Sequence, residues 1–264
     1  MAFSAPDFNR IDDASIEISP YTLNTPVFSS RSLNKMTGAS LFFKCENFQR
    51  AGAFKMRGAA HAALRFTETQ RQKGLATHSS GNHGQAVAAM AQALGVPAYI
   101  VMPENSTQSK IAAVKGYGGE IIFCEPTQAA REATLQKVVD EKGAYFIHPY
   151  NDWDVIAGQA TCAKELLEEV DVLHHILTPV GGGGLVSGTC LAAKYLSPKT
   201  EVIGGEPLGA DDAHRSFTSG TLVGNETVDT ICDGLRASLG QKPFSVIQAH
   251  GLDYLFVRYG DDIT

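Results

Sequence analysis

The 264-residue sequence is poor in cysteine and tryptophan and carries no excess of positive charge. Its five cysteines, Cys45, Cys124, Cys162, Cys190 and Cys232, are widely spaced and form no C-x-x-C pair. An odd, scattered set argues against a disulfide framework and against a cysteine-ligated zinc site, so the five read as reduced thiols. Lys and Arg number 22 against 28 Asp and Glu, a net charge of -6, and no basic cluster is present to neutralise a phosphate backbone. Nucleic acid is therefore not an expected partner. No apolar window approaches the roughly 20 residues of a membrane span, and Met1 to Asp7 shows no basic segment leading into an apolar run. The expectation is a cytoplasmic protein with no membrane partner. Repeats of fixed period and low-complexity tracts are also missing. What is present is 44% hydrophobic residues, ample for one large domain or two smaller ones.

The order of patterns predicts an α/β protein. Residues 7 to 19 read as a helix with Ile11, Ile16 and Ile18 partly in phase, ended by Ser19-Pro20 and suited to covering a partner. A short helix follows, with Gly38 as its cap, and Leu41 to Lys44 reads as a strand. From Gly74 onward, apolar runs at 75–79, 98–102 and 120–124 alternate with helical patterns at about 84–94, 109–115 and 127–142. That alternation is the sequence form of βαβ units around a parallel sheet, here a compact mobile domain. A helix over about 155–170 and strands at 173–180 and 201–204 continue the pattern.

Three stretches carry chemistry. The first, Glu46 to Ala59, is a glycine-bracketed turn that presents Lys55 ahead of an alanine-rich helix, with Phe54 and Met56 as apolar neighbours. A lysine attacks a carbonyl only when neutral, and from a reference pKa of about 10.4 it needs desolvation or nearby positive charge to reach that state. Taken alone, the stretch also fits an ordinary surface lysine in the first turn of a helix. The second, Ser79-Ser80-Gly81-Asn82-His83-Gly84-Gln85, sits at a strand-to-helix junction where open N–H groups can hold a carboxylate; a serine that merely caps the helix is the alternative. The third is Gly181-Gly182-Gly183-Gly184, joining an apolar strand to a small-residue helix that starts at Leu185. Residues without a β-carbon let consecutive N–H groups converge on an anion at a helix amino end, whereas a flexible linker would be polar on both sides. A dinucleotide fingerprint fails at Val186 and Ser187, and a nucleotide P-loop fails at Thr189, so the anion is expected to be a phosphate of another kind.

In this order, the lysine turn, the serine/asparagine loop and the tetraglycine loop resemble the fold-type II pyridoxal-phosphate enzymes of the serine/threonine dehydratase and serine racemase family. The likeness runs from about Thr25 through Gly234. It implies two three-layer αβα domains with parallel-rich sheets and pyridoxal 5'-phosphate in the cleft between them. Residues 1–68 plus 154–264 would form the large domain and 69–153 the small mobile one. By resemblance, Lys55 holds the cofactor as an imine, Phe54 lies against it, Asn82 bonds its ring hydroxyl, Gly181, Gly182, Gly183, Gly184 and Leu185 hold its phosphate, and Gly234 passes beside its ring. Ser79, Asn82 and His83 would bind the substrate carboxylate. Ser80 would sit on the ring face opposite the lysine, where a second acid/base group permits proton return with inversion; a capping serine in a pure dehydratase is the other reading.

The resemblance also implies a divalent cation, Mg2+ or Ca2+, in a structural site made by Glu206, the carbonyl of Ala210 and Asp212, for which an acidic surface turn is the plain alternative. It implies a homodimer acting on a small hydroxy amino acid: β-elimination from serine or threonine to a 2-oxo acid and ammonia, with racemisation of serine as a companion activity. A 3-hydroxyaspartate ammonia-lyase and a truncated, non-catalytic cofactor-binding protein are the alternatives. Members of that family continue past the counterpart of Asp261-Asp262-Ile263-Thr264, so the C-terminal part of the large domain is expected to be missing here.

Overall fold

The computed structural model describes residues 4–250 and 254–258. Helix α1 (Phe8–Ile18) is capped by Asp7, whose carboxylate accepts the Arg10 amide at 3.0 Å. Its buried stripe of Ile11, Ala14 and Ile18 packs within this chain and not on a partner, which leaves Ile16, on the other side of the helix, 66% exposed. Strands β1 (Val27–Ser29) and β2 (Phe42–Lys44) pair antiparallel around α2 (Arg31–Thr37), which ends at Gly38 in the left-handed conformation. Two short 3-10 turns lead into α3 (Lys55–Arg65), followed by α4 (Glu68–Arg71) with a complete capping box on Thr67.

The next elements are β3 (Leu75–His78), α5 (Asn82–Leu94), β4 (Ala98–Pro103), α6 (Gln108–Gly116), β5 (Glu120–Cys124), α7 (Gln128–Lys142) and β6 (Tyr145–Phe146). Their strands form a wholly parallel sheet in the order β5-β4-β3-β6, with Leu75 opposite both Ala98 and Tyr145. Alternate residues face opposite layers: Leu75, Ile100 and Met102 join the core under α5, while Ala76 and Val101 join Leu135 and Val138 of α7. The chain leaves β3 for β4 through α5 and returns to β6 through α7. The carboxyl ends of β3 and β6 therefore flank a topological switch point, the place where open α/β sheets hold ligands. Sequence patterning predicted the first three strands, but two-residue β6 is too short to leave a periodic signal.

Helix α8 (Trp153–Glu169) then precedes β7 (His175–Pro179), α9 (Gly184–Leu196), β8 (Glu201–Pro207), α10 (Asp212–Ser219), α11 (Gln241–His250) and β9 (Tyr254–Arg258). These strands form a second parallel sheet, β7-β8-β9. Along β7, Ile176 and Thr178 point inward, and Leu177 on the other face is 75% exposed. Helices α3, α8 and α9 pack backbone to backbone through small residues: a β-carbon on Gly158 would lie 2.5 Å from the Arg57 carbonyl oxygen. Among the described residues, no helix is long and apolar enough to cross a membrane.

Candidate active site

Lys55 is the first residue of α3, so its side chain extends from the amino end of a helix whose other first-turn residues, Met56 and Arg57, are buried. Its Nζ lies 5.4 Å from the Phe54 ring centroid and donates to the Pro149 carbonyl at 2.8 Å. Burial pushes the amine down from its ordinary 10.5 to about 8. Desolvation of the charged form is the cause, so a substantial neutral fraction exists near physiological pH.

Pro149 belongs to a connection after β6 that no sequence motif marks. The Ile147 carbonyl accepts from Thr77 Oγ1 at 2.9 Å and from His83 Nε2 at 3.0 Å. His148 Nδ1 accepts the Tyr150 and Asn151 amides at 3.2 and 2.9 Å, which places the His148 proton on Nε2. Asn151 Oδ1 accepts the Lys242 amide at 2.9 Å, anchoring the connection to α11. Burial, reinforced by His78 and Lys55, pushes His148 down to about 3, and burial beside Lys55 pushes His83 well below the usual histidine range. Both imidazoles are neutral at physiological pH, and neither adds positive charge around the lysine.

The loop after β3 is held by the Ser79 amide on the Val101 carbonyl at 3.1 Å and by the Gly81 amide on Ser79 Oγ at 3.3 Å. The residue capping α5 is Gly81, without a side-chain bond, so neither Ser79 nor Ser80 serves as the helix cap. Ser80 is half-buried and Asn82 exposed. The N–H groups of Asn82 and His83, in the first turn, have no acceptor within the helix. The sequence reading enlisted the His83 side chain for a carboxylate; the structure turns that ring, 2% exposed, onto Ile147 because position 83 falls on the buried side of α5. What His83 offers an anion is its backbone N–H.

The tetraglycine stretch joins β7 to α9. Gly183 has φ 87°, and a β-carbon there would lie 2.5 Å from Leu239 Cδ1, so both conformation and space demand glycine. At Gly182 a β-carbon would strike the Tyr150 ring at 2.3 Å. The first helical bond of α9 runs from the Ser187 amide to the Gly183 carbonyl at 3.0 Å, which leaves the Gly184, Leu185 and Val186 N–H groups for an anion. Gly234 lies in the 3-10 turn Asp233–Leu235, and its carbonyl oxygen sits 3.3 Å from the place of a Gly181 β-carbon. Lys110 of α6 reaches across to that turn and pairs with Asp233 at 2.5 Å.

The three sequence stretches thus meet at one connection: Ile147 touches the serine loop through His83, Pro149 holds Lys55, and Tyr150 packs on the glycine cup. A desolvated amine together with a β-carbon-free cup at a helix amino end fits a carbonyl cofactor that carries a phosphate. Behind the lysine, the fully buried Arg57 spans Glu46 (2.8 Å) and Glu165 (2.6 Å), and Lys44 reaches Glu165 at 2.7 Å. Glu46 and Arg57 both lie in the lysine stretch, but nothing in the sequence marks their pairing or the part played by Glu165 of α8.

The two carboxylates of the expected cation loop accept amide donors in this structure. Glu206, at 4% exposure, accepts the Ala213 and His214 amides at 3.2 and 2.9 Å, and burial, with the nearby Asp212 charge, pushes its carboxyl up to about 8. Asp212 accepts from Asn225 Nδ2 at 2.6 Å and from the Leu239 amide at 2.7 Å. Ala210 lies in the 3-10 turn between them. Among the described residues, no group of three or more His, Cys, Asp or Glu is set to hold a metal.

A family model described as pyridoxal-phosphate dependent enzyme matches residues 18–261. The chain is 47% identical to the beta-hydroxyaspartate dehydratase of Paracoccus denitrificans over 93% of its own length and 78% of that protein. It is also 47% identical to the serine racemase of Arabidopsis thaliana over 92% of its own length and 74% of the relative. Its fold matches the structure of maize serine racemase with a TM-score of 0.94 at 44% identity, covering 97% of this chain and 77% of that one.

Proposed function

The chain belongs to the pyridoxal-phosphate-dependent enzyme family, and we propose that it is an ammonia-lyase that removes water from a small β-hydroxy amino acid such as serine or threonine. The observation that carries this reading is the Lys55 amine, lowered to about 8 by burial and aimed by the Pro149 carbonyl. In this reading Lys55 holds the cofactor, Gly181 to Leu185 cradle its phosphate, Asn82 faces its ring hydroxyl, and Phe54 and Gly234 flank the ring. The open amides of α5, with Ser79 and Asn82, hold the substrate carboxylate. The bound cofactor supplies an electron sink for charge developing at the substrate Cα. Lys55, once released as a neutral amine, takes the Cα proton, and neutral His83 and His148 leave its basicity intact. Loss of the β-hydroxyl as water gives an enamine that hydrolyses to a 2-oxo acid and ammonia. Ser80, free of any capping duty, returns a proton from the opposite face and so racemises serine.

A dicarboxylic substrate, 3-hydroxyaspartate, is a second reading favoured by Arg131 of α7. Its Nε is buried without a hydrogen-bond partner among the described residues, and its charge adds to the burial that lowers the pKa of His78, next to the serine loop. The wider assembly follows the same proposal. Residues 69–153 move as a small domain against the rest, and Glu206, Ala210 and Asp212 take up Mg2+ or Ca2+, which would offset the burial that raises the Glu206 and Asp212 carboxyls. Phe28, Met36, Phe43 and Phe48, all exposed on the β1/β2 segment, suit the interface of a homodimer.

Reconstitution with pyridoxal phosphate tests the core of this reading. The wild type should develop the visible absorbance of lysine-bound cofactor, Lys55→Ala should not, and the loaded protein should release a 2-oxo acid from serine, threonine or 3-hydroxyaspartate. Absence of the wild-type band would overturn the cofactor site, and a band without any 2-oxo acid would overturn the lyase.

A further inference from the structure

Gln159 lies in the middle of α8, 0% exposed, where α8 meets both α3 and α9. Its Nε2 is 3.0 Å from the place of a Gly58 β-carbon, one turn beyond Lys55, and its Oε1 is 2.6 Å from the place of a Gly184 β-carbon at the start of α9. Both polar atoms are buried with no hydrogen-bond partner among the described residues. A carboxamide in that condition opposes folding, and methionine or leucine would fill much the same space at no polar cost. The position therefore has a use that apolar packing does not supply.

Its setting indicates the use. Gln159 lies against both elements of the cofactor site, at Gly58 in the first turn of the lysine helix and at Gly184 where the phosphate cup enters α9, and because both are glycines no side chain of theirs stands between the carboxamide and either backbone. A half-turn about the terminal torsion exchanges the amide oxygen and nitrogen without changing the shape of the side chain. With its NH2 toward Gly184, the carboxamide dipole adds to the positive amino end of α9.

We propose that Gln159 is a positioning residue of the phosphate site, which braces the amino end of α9 against the lysine helix and presents an N–H dipole to the bound anion from behind the glycine cup. This rests on the reading that Gly181 to Leu185 hold the cofactor phosphate. The role acts on the phosphate and not on the aldehyde, and that separates it from general packing.

Gln159→Met tests it by comparing pyridoxal phosphate with pyridoxal, which lacks the phosphate, alongside the thermal midpoint of the cofactor-free protein. The variant should keep or raise that midpoint, weaken pyridoxal phosphate by about tenfold, the scale of one hydrogen bond to a charged group, and leave pyridoxal unchanged. Unchanged affinity for pyridoxal phosphate overturns the proposal, as does an equal loss for both aldehydes. If the midpoint falls, Gln159→Glu, of the same shape, decides: its negative charge must weaken pyridoxal phosphate relative to pyridoxal, and equal affinities overturn the role. A wild type that binds the two aldehydes equally would instead overturn the phosphate-cup reading on which the inference stands.

Discussion

Lys55 Nζ and the Pro149 carbonyl meet at 2.8 Å across 94 residues of sequence. That bond joins the lysine turn to the connection following β6, and the same connection touches the serine loop through Ile147 and the glycine cup through Tyr150. A small shift of this one segment would disturb the three binding loops together.

Because desolvation holds the Lys55 amine at about 8, cofactor attachment should accelerate about tenfold per pH unit below that value and level off above it. An ordinary lysine would keep accelerating to about pH 10.4. The growth of visible absorbance after mixing cofactor-free protein with pyridoxal phosphate, followed from about pH 6 to about pH 10, reads the difference. The sign for stability is fixed as well. Between about 8 and 10.5 the unfolded chain holds a proton at Lys55 that the folded chain lacks, so the cofactor-free protein gains stability as pH rises through that window.

Arg57→Met should destabilise the protein by about 3–5 kcal/mol, since it strands Glu46 and Glu165 in a largely buried network from which only Lys44 still offers charge. Urea unfolding measures this. A loss below about 1 kcal/mol would mean that water compensates the two carboxylates, as it does for surface pairs.

Ser80→Ala should abolish most D-serine formation, by about a hundredfold or more, while 2-oxo acid production stays within a few-fold of wild type. Chiral analysis of serine beside a keto-acid assay separates the two. D-serine formation at the wild-type rate would remove Ser80 from proton transfer.

Arg131→Gln should raise KM for 3-hydroxyaspartate by about tenfold and leave serine nearly unaffected, as expected when a charged partner for a second carboxylate is lost. Equal effects on both substrates would assign Arg131 to the integrity of α7 instead.

Much of the fold was legible because its elements obey local rules. Gly38 ends α2 where a glycine cap was expected, and the runs at 75–79, 98–102 and 120–124 became the neighbouring parallel strands β3, β4 and β5. Residues with no local signature were not legible. Tyr145–Phe146 is two residues long, and Pro149, Gln159 and Arg131 owe their interest to neighbours far away in sequence. His83 was half legible: its place at the start of α5 followed from the motif, but the direction of its ring depended on where Ile147 lies.

The sequence by itself determined the family, the order of the three loops and the glycine positions, because backbone conformation and helix ends are set by residues close together in the chain. Only the tertiary structure decided that Lys55 is desolvated, that both histidines near it are neutral and that Arg57 bridges two carboxylates. Burial and charge pairing depend on which distant segments share a volume, and local sequence carries no record of that.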